Sequence, residues 1–179
     1  GGVGSENFAV LGDGQQLDGL TSSGMAPASW TPDYIRRKCG GAMPQRGWGT
    51  VTTPGAGAGW VALSERFGKL PFADLMEPAI ELAERGHGVG IIVAEKWARQ
   101  VPALINQPGF AEAFLPRGRA PLPGERFSFP QAGATLRKIA ETRGETFYRG
   151  EIAEKLVAHS ATHGGSMTMA DLAAFAPEW

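Results

Sequence analysis

Glycine and proline interrupt this chain more often than they interrupt an average protein. Of its 179 residues, 26 are glycine and 13 are proline, which is nearly twice their usual combined share of roughly 12 %. Glycine permits turn conformations and proline ends regular elements, so turns and loops are expected to form much of this chain. A formal charge of −1 and a hydrophobic content of 42 % nevertheless favour folding over disorder.

Charge, cysteine content and length narrow the possible classes of protein. The 17 Lys and Arg residues nearly balance the 18 Asp and Glu residues, so neither a nucleic acid nor a membrane is expected as a partner. The single cysteine, Cys39, excludes an intrachain disulfide and a cysteine-based zinc site. The length fits one domain, and we interpret residues 1–179 as an internal segment of a longer protein, incomplete at both ends.

The first third of the sequence predicts short strands, and the remainder predicts helices. Residues 7–11 and 15–20 flank Gly12-Asp13-Gly14, a hairpin signal, and the β-branched residues 50–53 suggest a third strand. Apolar residues recur every three or four positions over 72–83. Pro78 interrupts this stripe, so a short turn followed by a main helix from near Pro78 is expected. Further helices are predicted over residues 61–67, 93–105, 131–142 and 150–162, and after Thr168 as an N-cap.

A glycine cluster at residues 54–60, Pro-Gly-Ala-Gly-Ala-Gly-Trp, follows the third extended run and precedes a helical segment. The spacing from Gly57 through Gly59 to Ala62 matches a dinucleotide-binding fingerprint. That fingerprint also requires a second strand with an acidic residue about 20 positions later, and a helix is predicted there. A tight strand-to-helix turn is therefore the preferred interpretation, and a nucleotide site is the alternative.

The sequence contains no complete catalytic or metal-binding motif. His159 and His163 are four residues apart, so both can lie on one helix face, but two ligands do not make a metal site. No Gly-x-Ser-x-Gly elbow is present, and Cys39 lacks the flanking sequence of a thiol protease. The sequence therefore predicts no catalytic residue, no cofactor and no metal site within residues 1–179.

Several short motifs are more informative in their order than singly. They are Gly1-Gly2-Val3-Gly4 with Asn7-Phe8-Ala9-Val10, Ser23-Gly24-Met25-Ala26-Pro27-Ala28, Thr53-Pro54-Gly55-Ala56, Phe67-Gly68-Lys69-Leu70-Pro71-Phe72, Glu77-Pro78-Ala79-Ile80-Glu81-Leu82-Ala83-Glu84-Arg85-Gly86, Thr135-Leu136-Arg137-Lys138-Ile139-Ala140, Thr146-Phe147-Tyr148-Arg149-Gly150-Glu151-Ile152-Ala153, and Gly164-Gly165 with Thr168 and Asp171-Leu172. In this collinear order they cover nearly the whole chain. The sequence resembles the large (α) subunit of the γ-glutamyltransferase family, which includes cephalosporin acylases.

This resemblance implies an α+β fold that is part of the αββα sandwich of N-terminal-nucleophile hydrolases. The segment is then mostly helical, with two or three short strands near its start. In this family a precursor cuts itself, and the new N-terminal Thr of the small (β) subunit attacks a small-molecule amide such as glutathione. The nucleophile is thus expected outside residues 1–179, on a partner subunit. The resemblance also suggests a periplasmic or extracellular location.

One substrate-binding position of the family falls inside the segment. In the transpeptidases an arginine clamps the α-carboxylate of the γ-glutamyl group, and the resemblance matches this position to Met25. Either Arg36 or Arg37 reaches the carboxylate instead, or the acyl donor differs, as in a cephalosporin or glutaryl acylase. Met25, Arg36 and Arg37 are therefore the predicted substrate-binding residues. The alternatives are a Met25 that only packs and a scaffold that has lost the chemistry.

Overall fold

The computed structural model describes residues 2–179. Helices form most of the regular structure, and a β-hairpin lies near the start, as the sequence predicts. The α-helices are α1 (Pro32–Cys39), α2 (Ala56–Phe67), α3 (Phe72–Arg85), α4 (Ile91–Leu104), α5 (Phe110–Phe114), α6 (Pro130–Thr142), α7 (Glu145–Arg149), α8 (Glu151–Thr162) and α9 (Met169–Ala173), and the strands are β1 (Asn7–Gly12), β2 (Leu17–Ser22), β3 (His87–Gly88) and β4 (Arg126–Phe127).

The predicted hairpin is confirmed. Strands β1 and β2 pair antiparallel, with Phe8 opposite Thr21 and Gly12 opposite Leu17. The connecting turn is stabilised by Asp13. Its Oδ1 accepts hydrogen bonds from the backbone N–H groups of Gln15 and Gln16, at 2.9 and 2.8 Å. These hydrogen bonds lower the pKa of the Asp13 carboxyl. A short polar side chain that satisfies the turn backbone explains why the chain reverses here.

The two faces of the hairpin have different surroundings. On the inner face, which packs against α2, Leu20 and Ser22 are buried. On the outer face, Phe8, Val10 and Leu17 are exposed by 64, 79 and 76 %. Alternate residues of a strand point to opposite faces, so these three apolar residues lie on the same exposed face of the hairpin.

Helix α3 differs from the sequence prediction. It runs without a break from Phe72 to Arg85 and contains Pro78 in its interior, whereas a turn followed by a helix from near Pro78 was expected. Proline removes one helical hydrogen bond at a cost of about 3 kcal/mol. The helix buries Phe72, Met76 and Ile80 almost completely, and burial of three such side chains offsets that cost. Gly86, at φ 81°, ends the helix as predicted.

The predicted third strand over residues 50–53 is wrong. Trp48–Thr50 forms a 3₁₀ turn, and residues 51–55 are irregular because Thr53 donates its backbone N–H to the Met25 carbonyl rather than to a ladder. The helices predicted over 61–67, 93–105, 131–142 and 150–162 are confirmed within a few residues, and α2 begins earlier, at Ala56. Thr168 caps α9 in a capping box with Asp171, as predicted.

Residue contacts divide the chain into two compact units. One unit extends to Leu75 and resumes over Lys138–Trp179, and the other is Met76–Arg137. In the first, Ala153, Met167 and Leu172 form a core cluster beneath Trp48 and Val51. In the second, Val89, Ala94 and Phe127 form a core with Trp97 and Phe129. The single domain expected from the length stays a prediction. Across residues 2–179, no helix combines the length and the apolar character that crossing a bilayer requires.

Candidate substrate-binding site

The predicted substrate-contact residue Met25 lies between β2 and α1, in a segment named here the Met25 loop (residues 23–28). Its side chain is 71 % exposed, while its backbone carbonyl accepts a hydrogen bond from the Thr53 N–H at 3.0 Å. At Gly24, an added Cβ would lie 1.5 Å from the Thr53 carbonyl oxygen, so no larger residue fits. The loop backbone is therefore held against Thr53, and the Met25 side chain faces open space.

The far end of the Met25 loop is held by Asp171 of α9. Its Oδ1 accepts the Ala28 backbone N–H at 2.8 Å, and its Oδ2 accepts the backbone N–H and the hydroxyl of Thr168 at 2.8 and 2.7 Å. Burial raises the pKa of the Asp171 carboxyl, but the hydrogen bonds from Thr168 and Ala28 outweigh burial and lower it. Asp171 is thus ionised near neutral pH and accepts three hydrogen bonds.

Thr53 is hydrogen-bonded both to the Met25 loop and to Asp171 of α9. Its side chain is 1 % exposed, and its hydroxyl donates to the carbonyl oxygen of Asp171 at 3.4 Å. The same residue donates its backbone N–H to Met25. A buried hydroxyl with a satisfied hydrogen bond serves to position the backbone, so Thr53 fixes the Met25 loop relative to α9.

Tyr148 of α7 supports the segment that leads into α2. Its buried hydroxyl donates to the Pro54 carbonyl at 2.7 Å and accepts the Ala58 backbone N–H at 3.1 Å. Burial raises the pKa of Tyr148 to about 12, although the Ala58 hydrogen bond opposes this change. Tyr148 is therefore a neutral phenol under ordinary conditions, and it satisfies one of the free N–H groups at the start of α2.

The end of β2 is tied to the same segment. The Ser22 hydroxyl donates to the Gly55 carbonyl at 2.7 Å, and the pair is buried. A Cβ on Gly55 would lie 1.9 Å from the Ser22 carbonyl oxygen. Only glycine permits this approach, so the glycine after Pro54 brings the α2 N-terminus against the strand that carries the Met25 loop.

The two predicted arginines lie on α1. Arg36 forms an ion pair with Asp33 at 2.7 Å, and both Arg36 and Arg37 are exposed. Within residues 2–179, no hydrogen bond or ion pair joins either guanidinium to the Met25 loop. The structure therefore places the arginines on the helix that follows the loop without bringing them to Met25, and their role in substrate binding stays a prediction.

The glycine cluster forms a packing surface at the start of α2. Gly57 and Gly59 are buried within the helix, and a Cβ on Gly59 would lie 2.8 Å from Asn7 Nδ2 and 2.9 Å from Ser22 Cβ. The hairpin therefore occupies the space beside Gly59. The preferred interpretation is thus correct in its tight turn into a helix but wrong in its strand, since residues 51–55 are irregular, and the packing leaves that side of the helix no room for a phosphate.

His159 and His163 are brought together on α8 and its C-terminus, with ring centroids 4.3 Å apart. His159 Nδ1 accepts the Trp48 indole N–H at 3.0 Å. Across residues 2–179, no group of three or more metal-ligating side chains is present. Cys39 is a half-buried free thiol at the end of α1.

Sequence reasoning missed the supporting residues of this site. Asp171 was predicted only as part of a helix cap, although its second oxygen reaches Ala28. Tyr148 was singled out only within a family motif, and neither its spacing nor its neighbours indicate a hydrogen bond to Pro54. The sequence does carry a signal for helix α1, since Thr31 caps the helix and Pro32 occupies its first turn.

Comparison with known proteins gives a consistent result. The gamma-glutamyltranspeptidase family model matches residues 1–179. The glutathione hydrolase-like YwrD proenzyme of Bacillus subtilis is 34 % identical over 158 residues, which are 88 % of this chain and 30 % of that protein. The oxamate amidohydrolase proenzyme of Klebsiella pneumoniae is 38 % identical over 138 residues, 74 % of this chain and 26 % of that protein.

Comparison with solved structures identifies the same family. The crystal structure of cephalosporin acylase from Bacillus halodurans superposes with a TM-score of 0.92 and 39 % identity, over 99 % of this chain and 34 % of that chain. The mostly helical fold with short strands near its start is the one predicted from the resemblance. This chain belongs to the gamma-glutamyltranspeptidase family, and it spans about a third or less of the length of these relatives.

Proposed function

We propose that this chain is part of the large subunit of an enzyme that removes or transfers an acyl group from a small-molecule amide. The acyl group is γ-glutamyl or a related group, as in glutathione. The nucleophile is an N-terminal Thr of a small subunit, outside residues 1–179. In this proposal the chain forms a wall of the substrate cleft and packs against the small subunit.

The outer face of the β1–β2 hairpin carries this proposal. Phe8, Val10 and Leu17 present an apolar surface with no cover from residues 2–179, although the inner face of the same hairpin packs on α2. Burying each of these side chains would contribute about 1.5–3 kcal/mol. A sheet with one covered and one uncovered apolar face is half of a sandwich, which supports a second sheet supplied by a small subunit.

Two buried hydroxyl groups beside the Met25 loop are unsuited to act as the nucleophile. Ser22 and Thr53 are each 1 % exposed and donate to backbone carbonyls, so neither hydroxyl can reach a substrate. Two of the relatives are named as proenzymes, which supports a precursor that yields two subunits.

The proposed chemistry is an acyl transfer through a covalent ester. The Thr hydroxyl oxygen attacks the amide carbonyl carbon, and its proton passes to the free α-amino group of the same Thr. That proton then goes to the leaving nitrogen as the C–N bond breaks. Water or an acceptor amine attacks the resulting ester and releases the acyl group and the Thr hydroxyl.

The nature of the acyl group is the second point of this proposal. The relatives are named for glutathione, oxamate and cephalosporin, so members of the family differ in substrate. The exposed thioether of Met25 offers no charge to a substrate carboxylate, and this favours an acyl group other than γ-glutamyl as the second candidate. The first candidate requires Arg36 or Arg37 to supply the charge.

The test uses the full-length protein and two matched variants of the hairpin. Wild type is expected to separate into two chains on a denaturing gel, with Thr as the first residue of the smaller one. Phe8→Asp places a charge on the outer face and is expected to reduce the cleaved fraction about ten-fold or more. Gln15→Asp places the same charge in the exposed turn and is expected to behave as wild type.

The two parts of the proposal can fail separately. A wild-type protein that is never cleaved, or whose smaller chain begins with another residue, contradicts the proposed nucleophile. A Phe8→Asp variant that is cleaved and retains both chains like wild type contradicts the packing of the hairpin on the small subunit. Hydrolysis of a γ-glutamyl anilide compared with a 4-aminobutanoyl anilide, which lacks only the α-carboxylate, then shows whether the site recognises that carboxylate and so distinguishes the two candidates.

A further inference from the structure

A groove lies between α1, the segment around Trp48 and the turn after α8, and it is named here the α1 groove. Its volume is about 400 Å³, within the range of small-molecule sites. Three aromatic and three basic side chains give the groove its character: Trp30, Tyr34, Trp48, Lys38, Arg46 and His163. The rest of its lining is made of small and apolar residues together with Ser166 and Cys39.

The charged side chains that line the α1 groove are basic. No Asp or Glu is among its lining residues. Lys38 and Arg46 form no ion pair with any of residues 2–179, whereas Arg36 on the same helix is neutralised by Asp33. Two unpaired cations that face one concave surface attract an anion, and the planar guanidinium of Arg46 can bind a carboxylate or phosphate through two hydrogen bonds.

The aromatic walls of the groove are held in position. The Trp30 indole N–H donates to the Ser166 hydroxyl at 2.9 Å, and the Trp48 indole N–H donates to His159 Nδ1 at 3.0 Å. A Cβ on Gly165 would lie 2.2 Å from Ser160 Oγ and 2.7 Å from Trp48 Cβ, so the turn packs tightly behind Trp48. Indole rings fixed in this way present preorganised faces on which a flat ring can stack.

We propose that the α1 groove binds a small organic anion that carries a flat ring, with the ring against the Trp30 and Trp48 indoles and the anionic group on Lys38 and Arg46. The anionic group is a carboxylate or a phosphate, because the two share the recognition chemistry of Lys and Arg. This site is assigned from the groove alone and does not depend on the acyl-transfer function proposed above.

The test is calorimetric titration of the full-length protein with four probes. The probes are 1-naphthoate, 1-naphthyl phosphate, the neutral 1-naphthamide and the ringless anion acetate. At least one of the two charged naphthyl probes is expected to bind about ten-fold or more tightly than naphthamide, because charged hydrogen bonds are lost with the neutral probe. It is expected to exceed acetate by a similar factor, and the tighter charged probe identifies the anionic group.

Charge variants locate the site. Lys38→Gln combined with Arg46→Gln is expected to weaken binding of the charged naphthyl probe about ten-fold or more. The matched control, Lys96→Gln with Lys155→Gln, removes the same charge from exposed positions outside the groove and is expected to leave binding unchanged. Thermal unfolding verifies that each variant is folded, and the two single variants Lys38→Gln and Arg46→Gln replace the double variant if it is not.

Three results would overturn the assignment. They are the absence of binding by both charged naphthyl probes at millimolar concentration, equal binding of naphthamide, and equal loss in the groove variant and the control. A fluorescence change that follows the calorimetric isotherm in wild type and is absent in Trp48→Phe would support the placement of the ring.

Discussion

The backbone N–H of Ala28 donates a hydrogen bond of 2.8 Å to the carboxylate of Asp171, which lies 143 positions later in the chain. The same carboxylate caps α9 through Thr168. Since Ala28 ends the Met25 loop, one side chain both begins a helix and holds the loop that carries the predicted substrate contact.

Replacing Asp171 with Ala is expected to lower the free energy of unfolding by about 2 kcal/mol, because a helix cap is lost and the Ala28 N–H loses its acceptor. Denaturation of the full-length protein in urea measures this change. Asp33→Ala is the control, since it removes an exposed carboxylate that is paired on the surface, and its effect should stay under about 1 kcal/mol. Equal effects of the two variants would contradict the role given to Asp171.

The stability supplied by Asp171 is expected to depend on pH. Its carboxyl pKa in the folded protein is lowered from 3.8, so the unfolded chain takes up a proton first as the pH falls. The contribution is then complete above about pH 4 and is lost as the pH falls through the lowered pKa. Unfolding of wild type and Asp171→Asn across the acid range should give a difference that shrinks below about pH 4. A difference that stays constant would mean that Asp171 is not ionised in the folded protein.

Tyr148 is expected to make stability sensitive to alkaline pH. Burial raises its pKa from 10.0 to about 12, so above about pH 10 the unfolded chain loses a proton that the folded protein retains, and stability falls as the pH rises. Tyr148→Phe should remove this dependence. It should also cost about 2 kcal/mol at neutral pH, because Pro54 and Ala58 lose their partner. Tyr34→Phe is the control, and an alkaline dependence that survives in Tyr148→Phe would assign it to another group.

Met25→Arg tests the predicted substrate contact. The exposed side chain leaves room for a guanidinium, and a bidentate clamp on a carboxylate is worth roughly 2–5 kcal/mol when one partner is truncated. If Met25→Arg restores the clamp, kcat/KM for a γ-glutamyl anilide should rise at least about ten-fold relative to a 4-aminobutanoyl anilide, which lacks only the α-carboxylate. Met43→Arg, at another exposed methionine, should leave this ratio unchanged. No rise in Met25→Arg would mean that the cleft is built for a different acyl group.

Local patterns predict most elements of this fold. Hydrophobic periodicity located α4, α6 and α8, and the Asp-Gly turn located the β1–β2 hairpin. Periodicity could not decide whether α3 continues through Pro78, because the outcome depends on how completely Met76 and Ile80 become buried in the folded protein. The extended run before Pro54 has strand-forming residues, yet its partner is the irregular Met25 loop, which no propensity indicates.

The candidate site was less predictable than the fold. Met25, Arg36 and Arg37 came from the family resemblance, which identifies positions without giving their contacts. The hydrogen bonds from Ala28 to Asp171 and from Tyr148 to Pro54 join residues 143 and 94 positions apart. Contacts between residues so far apart in the sequence are created by tertiary packing, so the local spacing of residues in a single sequence does not predict them.

The location of the nucleophile is tested most directly by trapping the acyl intermediate of the full-length protein with a slow acyl donor, followed by acid quenching and peptide mapping by mass spectrometry. The acyl group is expected on a Thr that begins a newly formed chain outside residues 1–179. An acyl group on a side chain within these residues, such as Ser22, Thr53 or Cys39, would contradict the proposal that this chain only lines the substrate cleft while the small subunit supplies the nucleophile.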